Sequence, residues 1–165
     1  LGEVLHVIRK TGAVVQTAPT EIFLDAGEAF SSVGKVTTGP YPGFPTDLQS
    51  ALLSAMTVAQ GRSEIEERIF EARFQTADQL RRMGADLEIK GNRARIRGVS
   101  SLHGTFVRAK ELRGGAALVL AALGAEGTTR IQDDGYMERG YEDLAGDLKM
   151  LGACIDKKSA VPEPL

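Results

Sequence analysis

The chain has 165 residues, 42% of them hydrophobic and 25% charged, with 20 Lys plus Arg against 22 Asp plus Glu and a formal net charge of -2. This is the composition of an ordinary globular domain or a piece of a larger one, and it disfavours a general nucleic-acid binder, which carries a basic excess. A single cysteine excludes an internal disulfide framework and a multi-cysteine metal site, two distant histidines (His6 and His103) disfavour zinc, and the longest apolar run, Ala116 to Leu123, is far short of a membrane span. No basic-then-apolar leader with a small-residue cleavage site opens the sequence, so a cytoplasmic location is expected.

Leu1, Val4, Leu5 and Ile8 fall at helical spacing from the first position, with no initiator methionine and nothing before them to cap a helix. The chain is therefore expected to begin inside an element. Val14–Gln16 and Ile22–Leu24 read as a strand pair. Leu48, Ala51, Leu52, Ala55, Met56 and Ala59 form a helical stripe ending at Gln60-Gly61, followed by a strand at Ser63–Ile65, a polar loop carrying Arg73 and a helix over Thr76–Met83. Leu87–Ile89 and Ala94–Ile96 form a hairpin through Gly91-Asn92, with Arg93, Arg95 and Arg97 on its solvent side. The pattern then recurs: a stripe from Ala116 to Leu123 ending near Gly127, a strand at Thr128–Ile131, a loop with Arg139, and a helix over Tyr141–Leu151.

Three segments share an amphipathic helix, a Gly-Ala pair and an alternating strand: Val7 to Val15, Leu80 to Ile89 and Leu148 to Ile155. Their glycines, Gly12, Gly84 and Gly152, are 72 and 68 positions apart. That period is too long for a thin solenoid and suits a small α/β unit. The fold class is therefore α/β (α+β), built from repeated β-α-β-α-β-β units. The stripe helices have almost no polar face and are expected to be buried in the centre, with sheets outside. One incomplete domain over 1–156 is expected, with a repeat end at 1–35, repeats at 36–100 and 101–156, and a loose tail at 157–165. Cys154 falls in the last alternating strand and reads as a buried small hydrophobe.

Three features could carry chemistry. Thr38 to Asp47 holds three prolines and two glycines and so forms a stiff loop that delivers Asp47 to the start of a helix. From spacing alone Thr46 or Asp47 is equally an N-cap, although a cap needs no such approach and a catalytic group does. Arg113-Gly114-Gly115 opens the Ala116 helix, where free amides and an added guanidinium suit an anion; the plainer reading is a tight turn. Arg73 and Arg139 each lie eight residues beyond an isoleucine, Ile65 and Ile131, in matching loops. Recurrent arginines suit a polyanionic small ligand through their planar fork, or are solvated surface charges.

At these residues the sequence resembles a known family. Thr38 to Asp47, Phe70-Glu71-Ala72-Arg73-Phe74, Leu112-Arg113 with Ala116 to Ala121, Ala125-Glu126-Gly127-Thr128-Thr129 and Arg139-Gly140-Tyr141-Glu142 resemble, in order and up to about Asp156, the C-terminal part of MurA-type enolpyruvyl transferases, the UDP-N-acetylglucosamine 1-carboxyvinyltransferases. The resemblance implies an inside-out barrel of βαβαββ units with buried helices. It implies a cytoplasmic enzyme, without cofactor or metal, that moves the enolpyruvyl group of phosphoenolpyruvate to the 3'-hydroxyl of UDP-N-acetylglucosamine and releases phosphate. That is the first committed step of peptidoglycan synthesis, on which cell-wall biogenesis, cell shape and division depend. The implied partners are the two substrates and a missing N-terminal half, with no nucleic acid and no membrane.

Carried across by motif, the resemblance makes Asp47 the proposed general base and a UDP-sugar contact, and Ile69 a second UDP-sugar contact. Arg73 and Arg113 match arginines that hold the pyruvyl carboxylate, and Arg139 matches one that contacts phosphoenolpyruvate and helps trigger closure. Ala72 stands where the family usually has asparagine, and Glu111 where it usually has aspartate. The family's mobile loop with its acid, a cysteine or aspartate, lies in the other half; Cys154 does not match it. The chain alone is expected to be inactive and, with apolar surface uncovered, to self-associate. Alternatives are a shikimate-phosphate enolpyruvyl transferase, which the Tyr41-to-Asp47 loop disfavours, and a non-catalytic βαβαββ binding module.

Overall fold

Five α-helices and eight strands alternate along residues 1–158, the part of the chain that the computed structural model describes. First come α1 (Gly2–Lys10), β1 (Val14–Thr17) and β2 (Ile22–Asp25), the two strands pairing antiparallel with Val15 opposite Leu24. Then follow β3 (Lys35–Thr37), α2 (Gln49–Met56), β4 (Arg62–Glu66), α3 (Ala77–Arg82), β5 (Asp86–Lys90) and β6 (Arg93–Arg97), in the order β-α-β-α-β-β. Strand β3 runs parallel to β4, and β6 lies between β4 and β5, antiparallel to both. Last come β7 (Phe106–Ala109), α4 (Leu112–Leu123), β8 (Arg130–Asp133) and α5 (Leu144–Met150), with β7 parallel to β8.

The period-2 pattern sets the hairpin register. Leu87 faces Ile96 and Ile89 faces Ala94, so the apolar partners share the inner face. Ala94 and Ile96 are buried while Arg93, Arg95 and Arg97 are exposed. The Gly-Ala stops share one geometry: Gly12, Gly84 and Gly152 have φ of +99°, +95° and +93°. A side chain there would be strained, so glycine ends each helix. Three residues before each glycine, a cation reaches across the turn. Arg9 donates to the Val15 carbonyl at 3.0 Å, Arg81 to the Leu87 carbonyl at 3.1 Å, and Lys149 to the Asp156 carboxylate at 2.8 Å.

Helices α2 and α4 pack against each other with sheets around them. Small residues let them approach: Ser54 Oγ donates to the Ala117 carbonyl at 2.7 Å. Leu53, Met56, Leu80, Val107 and Leu118 fill the shared interior, each almost fully buried. The inside-helix expectation therefore holds for α2. In α4 one apolar edge stays open, with Leu120 and Leu123 each nearly half exposed.

Other expectations are corrected. No strand follows Gly152, so Cys154 has no strand partner among the described residues and is exposed. Alternation alone could not supply the missing neighbour. Helix α4 begins at Leu112, one turn before Ala116, because Glu111 caps it. Strand β8 starts at Arg130 rather than Thr128, and α5 at Leu144 rather than Tyr141. Of the expected tail, residues 159–165 lie outside the described residues. The β1–β2 pair leaves Val14, Ile22, Phe23 and Leu24 about half exposed. Among the described residues no helix is long and apolar enough to cross a membrane.

Candidate active site

The Pro/Gly loop is shaped by its own backbone. Gly39 N donates to the Phe44 carbonyl at 2.9 Å and Gly43 N to the Pro40 carbonyl at 2.7 Å. A Cβ on Gly43 would stand 3.0 Å from the Pro40 carbonyl oxygen, which explains the glycine. Phe44 is buried and anchors the loop, while Tyr41 stands out at its tip. The loop ends in a 3-10 turn, Thr46–Leu48, that leads into α2.

Neither Thr46 nor Asp47 caps that turn; Pro45 precedes it and no side-chain cap is made. The Thr46 hydroxyl instead donates to Glu67 Oε2 at 2.9 Å. Asp47 faces two arginines from distant parts of the chain. Its Oδ1 accepts from Arg73 Nη2 at 2.9 Å and its Oδ2 from Arg113 Nη2 at 3.1 Å. The Asp47 side chain is 55% exposed, so water screens both pairs and they add little stability. What they provide is placement: a carboxylate and two guanidiniums meet at one point.

Arg73 is held more firmly than Arg113. Its guanidinium lies over the Phe70 ring, 5.2 Å from the centroid, and its Nε is buried without a partner among the described residues. A cleft of about 220 Å³ opens beside it, lined by Phe70, Glu71, Ala72, Arg73, Gln75 and Glu111. Ala72 has φ +52°, the left-handed region that asparagine or glycine tolerates better.

Arg113 sits in the first turn of α4. The free amides there are not open to an anion, which corrects the expectation drawn from Gly114-Gly115. Glu111 takes them, accepting from Arg113 N at 2.9 Å and from Gly114 N. The longer carboxylate thus serves as the helix cap. The glycines serve packing instead, since a Cβ on Gly115 would stand 2.7 Å from Met137 Cγ.

That contact sets the second arginine loop, the 3-10 turn Met137–Arg139, against the start of α4. Arg139 is exposed, and its guanidinium makes no ion pair or hydrogen bond among the described residues. Ile69 is partly exposed on the Arg73 loop. The structure thus joins Asp47, Arg73 and Arg113 directly, Ile69 through the Arg73 loop, and Arg139 only through its turn.

Sequence reading missed the two acids beneath these loops. Glu67, 2% exposed, accepts the Ile69 amide at 2.8 Å and the Phe70 amide at 3.1 Å. Asp133 accepts the Tyr136 amide at 3.0 Å and the Met137 amide at 3.2 Å. Both stand 66 positions apart, as Arg73 and Arg139 do, and that shared register was the available signal. The neighbouring Glu66 points elsewhere. Hydrogen bonds from Lys35 and Arg68 hold its carboxyl down at about 2.

Fold and site together define an enolpyruvyl-transferase-like α/β protein. The chain belongs to the family described as EPSP synthase (3-phosphoshikimate 1-carboxyvinyltransferase), which matches residues 2–148. It is 49% identical over 152 residues to UDP-N-acetylglucosamine 1-carboxyvinyltransferase 1 of Legionella pneumophila (strain Lens), covering 92% of this chain and 30% of that protein. The UDP-N-acetylglucosamine 1-carboxyvinyltransferase of Desulfofundulus thermocisternus is 45% identical over 148 residues, covering 90% of this chain and 60% of the relative. Among solved structures, the enolpyruvyl transferase NikO from Streptomyces tendae matches with a TM-score of 0.82 at 28% identity, over 98% of this chain and 37% of that one. EPSP synthase from Acinetobacter baumannii, at 18% identity and a TM-score of 0.60, shares the fold over 83% of this chain. The chain thus spans between 30% and 60% of the length of these two curated relatives.

Proposed function

We propose that this chain forms one side of the active site of a UDP-N-acetylglucosamine 1-carboxyvinyltransferase, and that the remainder of the site comes from sequence outside it. The observation that carries this reading is the meeting of Arg73 and Arg113 on the two oxygens of Asp47. Two guanidiniums around one carboxylate make a cradle for a carboxylate substrate, and the aspartate beside them suits proton abstraction from a hydroxyl. The relatives at 45% and 49% identity carry the name of this activity.

In the reaction the sugar 3'-hydroxyl gives its proton to Asp47 as its oxygen bonds to the phosphate-bearing carbon of phosphoenolpyruvate. The methylene carbon takes up a proton, then loses one as the bond to phosphate breaks, leaving an enolpyruvyl ether and free phosphate. Arg73 and Arg113 hold the pyruvyl carboxylate through addition and elimination. Ile69 packs against the UDP-sugar, and the unpaired Arg139 engages phosphoenolpyruvate as the site closes. The reading places the protein in the cytoplasm, at the entry to peptidoglycan synthesis. It also groups residues 1–156 as part of one domain with repeats at 36–100 and 101–156.

Phosphate release from phosphoenolpyruvate by the intact gene product tests it. Release that requires UDP-N-acetylglucosamine supports the assignment. Release driven by shikimate 3-phosphate instead moves it to the EPSP synthase activity of the family description, and none from folded protein with either acceptor rejects catalysis.

A further inference from the structure

Glu67 has no role in the reaction above, yet it is the least exposed carboxylate among the described residues. A buried carboxylate persists only when its oxygens are fully partnered. Here the partners come from two different loops. Oε1 accepts the Ile69 and Phe70 amides, and Oε2 accepts the Thr46 hydroxyl at 2.9 Å. Its main chain is fixed to the β5–β6 turn: the Glu67 amide donates to the Asn92 carbonyl, and Asn92 Nδ2 donates to the Glu67 carbonyl, both at 2.8 Å.

We propose that Glu67 is a positioning residue of this site, its buried carboxylate joining the Asp47 loop to the Ile69–Arg73 loop so that base, sugar contact and arginine cradle keep one geometry. The proposal rests on the transferase reading for its kinetic consequence. Its structural part stands on the three hydrogen bonds. Asp133 supplies an internal comparison: it also gathers two amides of an arginine loop, but among the described residues its carboxylate hydrogen bonds reach no second loop. An acid needed only to shape its own loop would look like Asp133. The bond to Thr46 is what sets Glu67 apart, because Thr46 is the residue before Asp47.

Glu67→Ala leaves three donors unpaired and can lose the fold with them, so Thr46→Val and Thr46→Ser are the decisive variants. Both keep the shape of the turn, and only serine keeps the hydroxyl. In the intact gene product, Thr46→Val is expected to lower kcat about tenfold, with KM for phosphoenolpyruvate within about threefold of wild type, because misplacing a reacting group acts on turnover. Thr46→Ser is expected to restore kcat to within about twofold, since its hydroxyl makes the same bond. Equal kcat in both variants overturns the proposal. Should the unsubstituted protein show no turnover, the transferase reading fails separately, and the coupling is judged by NMR on the chain itself. There the Ile69 and Phe70 amide signals move in Thr46→Val and hold in Thr46→Ser; no difference between the variants overturns it.

Discussion

The two arginine loops begin from the same register and end in different states. In the first, Arg73 is tied to Asp47 and lies over Phe70, and its loop is held at the Ile69 and Phe70 amides by a buried acid that also holds a second loop. In the second, Arg139 projects without a partner among the described residues, and Asp133 beneath it is only partly buried. Ala72 takes a left-handed backbone in the first loop, whereas its counterpart 66 positions on, Glu138, lies within a 3-10 turn. A duplicated frame therefore supports one preorganised cation and one available cation. Such a division suits a site in which one arginine defines the cradle and another responds to ligand.

Substitution of each arginine separates the two loops most strongly. Arg73→Lys and Arg139→Ala are each expected to lower phosphate release by the intact gene product about 100-fold, since the first replaces a planar guanidinium fork by a point charge and the second removes a guanidinium altogether. Their effects on the unliganded chain should part. Arg139→Ala leaves the melting temperature within about 1 °C, because an exposed, unpaired side chain contributes little. Arg73→Lys should shift the NMR signals of Asp47, as the fork that holds Oδ1 is gone. Identical behaviour of the two variants without ligand would erase the distinction.

The anchoring acids come next in size. Glu67→Ala, which strands three donors in a buried place, should destabilise the chain by about 3 kcal/mol in urea titration. Asp133→Ala strands two half-solvated amides and should cost about 1 kcal/mol. Equal losses would mean that burial does not separate the loops. Smaller again is Ala72→Gly, expected to stabilise by about 0.5–1 kcal/mol because φ +52° strains a side chain. The same change at Glu138 should destabilise.

The smallest effect is a pH dependence outside both loops. Glu66 has its carboxyl lowered from 4.5 to about 2 by Lys35 and Arg68. A depressed carboxylate stabilises the fold above its unfolded value, and that contribution fades as pH falls from about 4.5 toward 2. Glu66→Gln should therefore lower stability at neutral pH, converge with the unsubstituted chain as pH falls toward 2, and so flatten the acid limb of the melting curve across that window. An unchanged acid limb would contradict the assignment.

What the residues reveal alone follows from range. The Gly12, Gly84 and Gly152 stops and the Leu87–Ile96 register were legible because helix ends and strand alternation are local. Cys154 misled because alternation reads the same whether or not a neighbouring strand exists. Asp47 read as a cap from its spacing, while its actual partners lie 26 and 66 residues away, beyond any local pattern. The family resemblance names five candidate site residues, yet not the contacts among them. Glu111 looked like a departure and proves to be the cap of α4, and Ala72 like a lost amide and proves to be a strained backbone position. Glu67 and Asp133 were within reach, since an acid recurs at the register that spaces the arginines. Its meaning required the fold to bring Thr46 alongside.

On the proposed reading, the carboxylate held between Arg73 and Arg113 is the base of an enolpyruvyl transfer. Asp47→Asn tests it most directly, since the amide keeps the shape and removes the proton acceptor. In the intact gene product, UDP-N-acetylglucosamine-dependent phosphate release should fall at least about 100-fold while the protein stays folded. Release within about threefold of the unsubstituted protein would contradict the account.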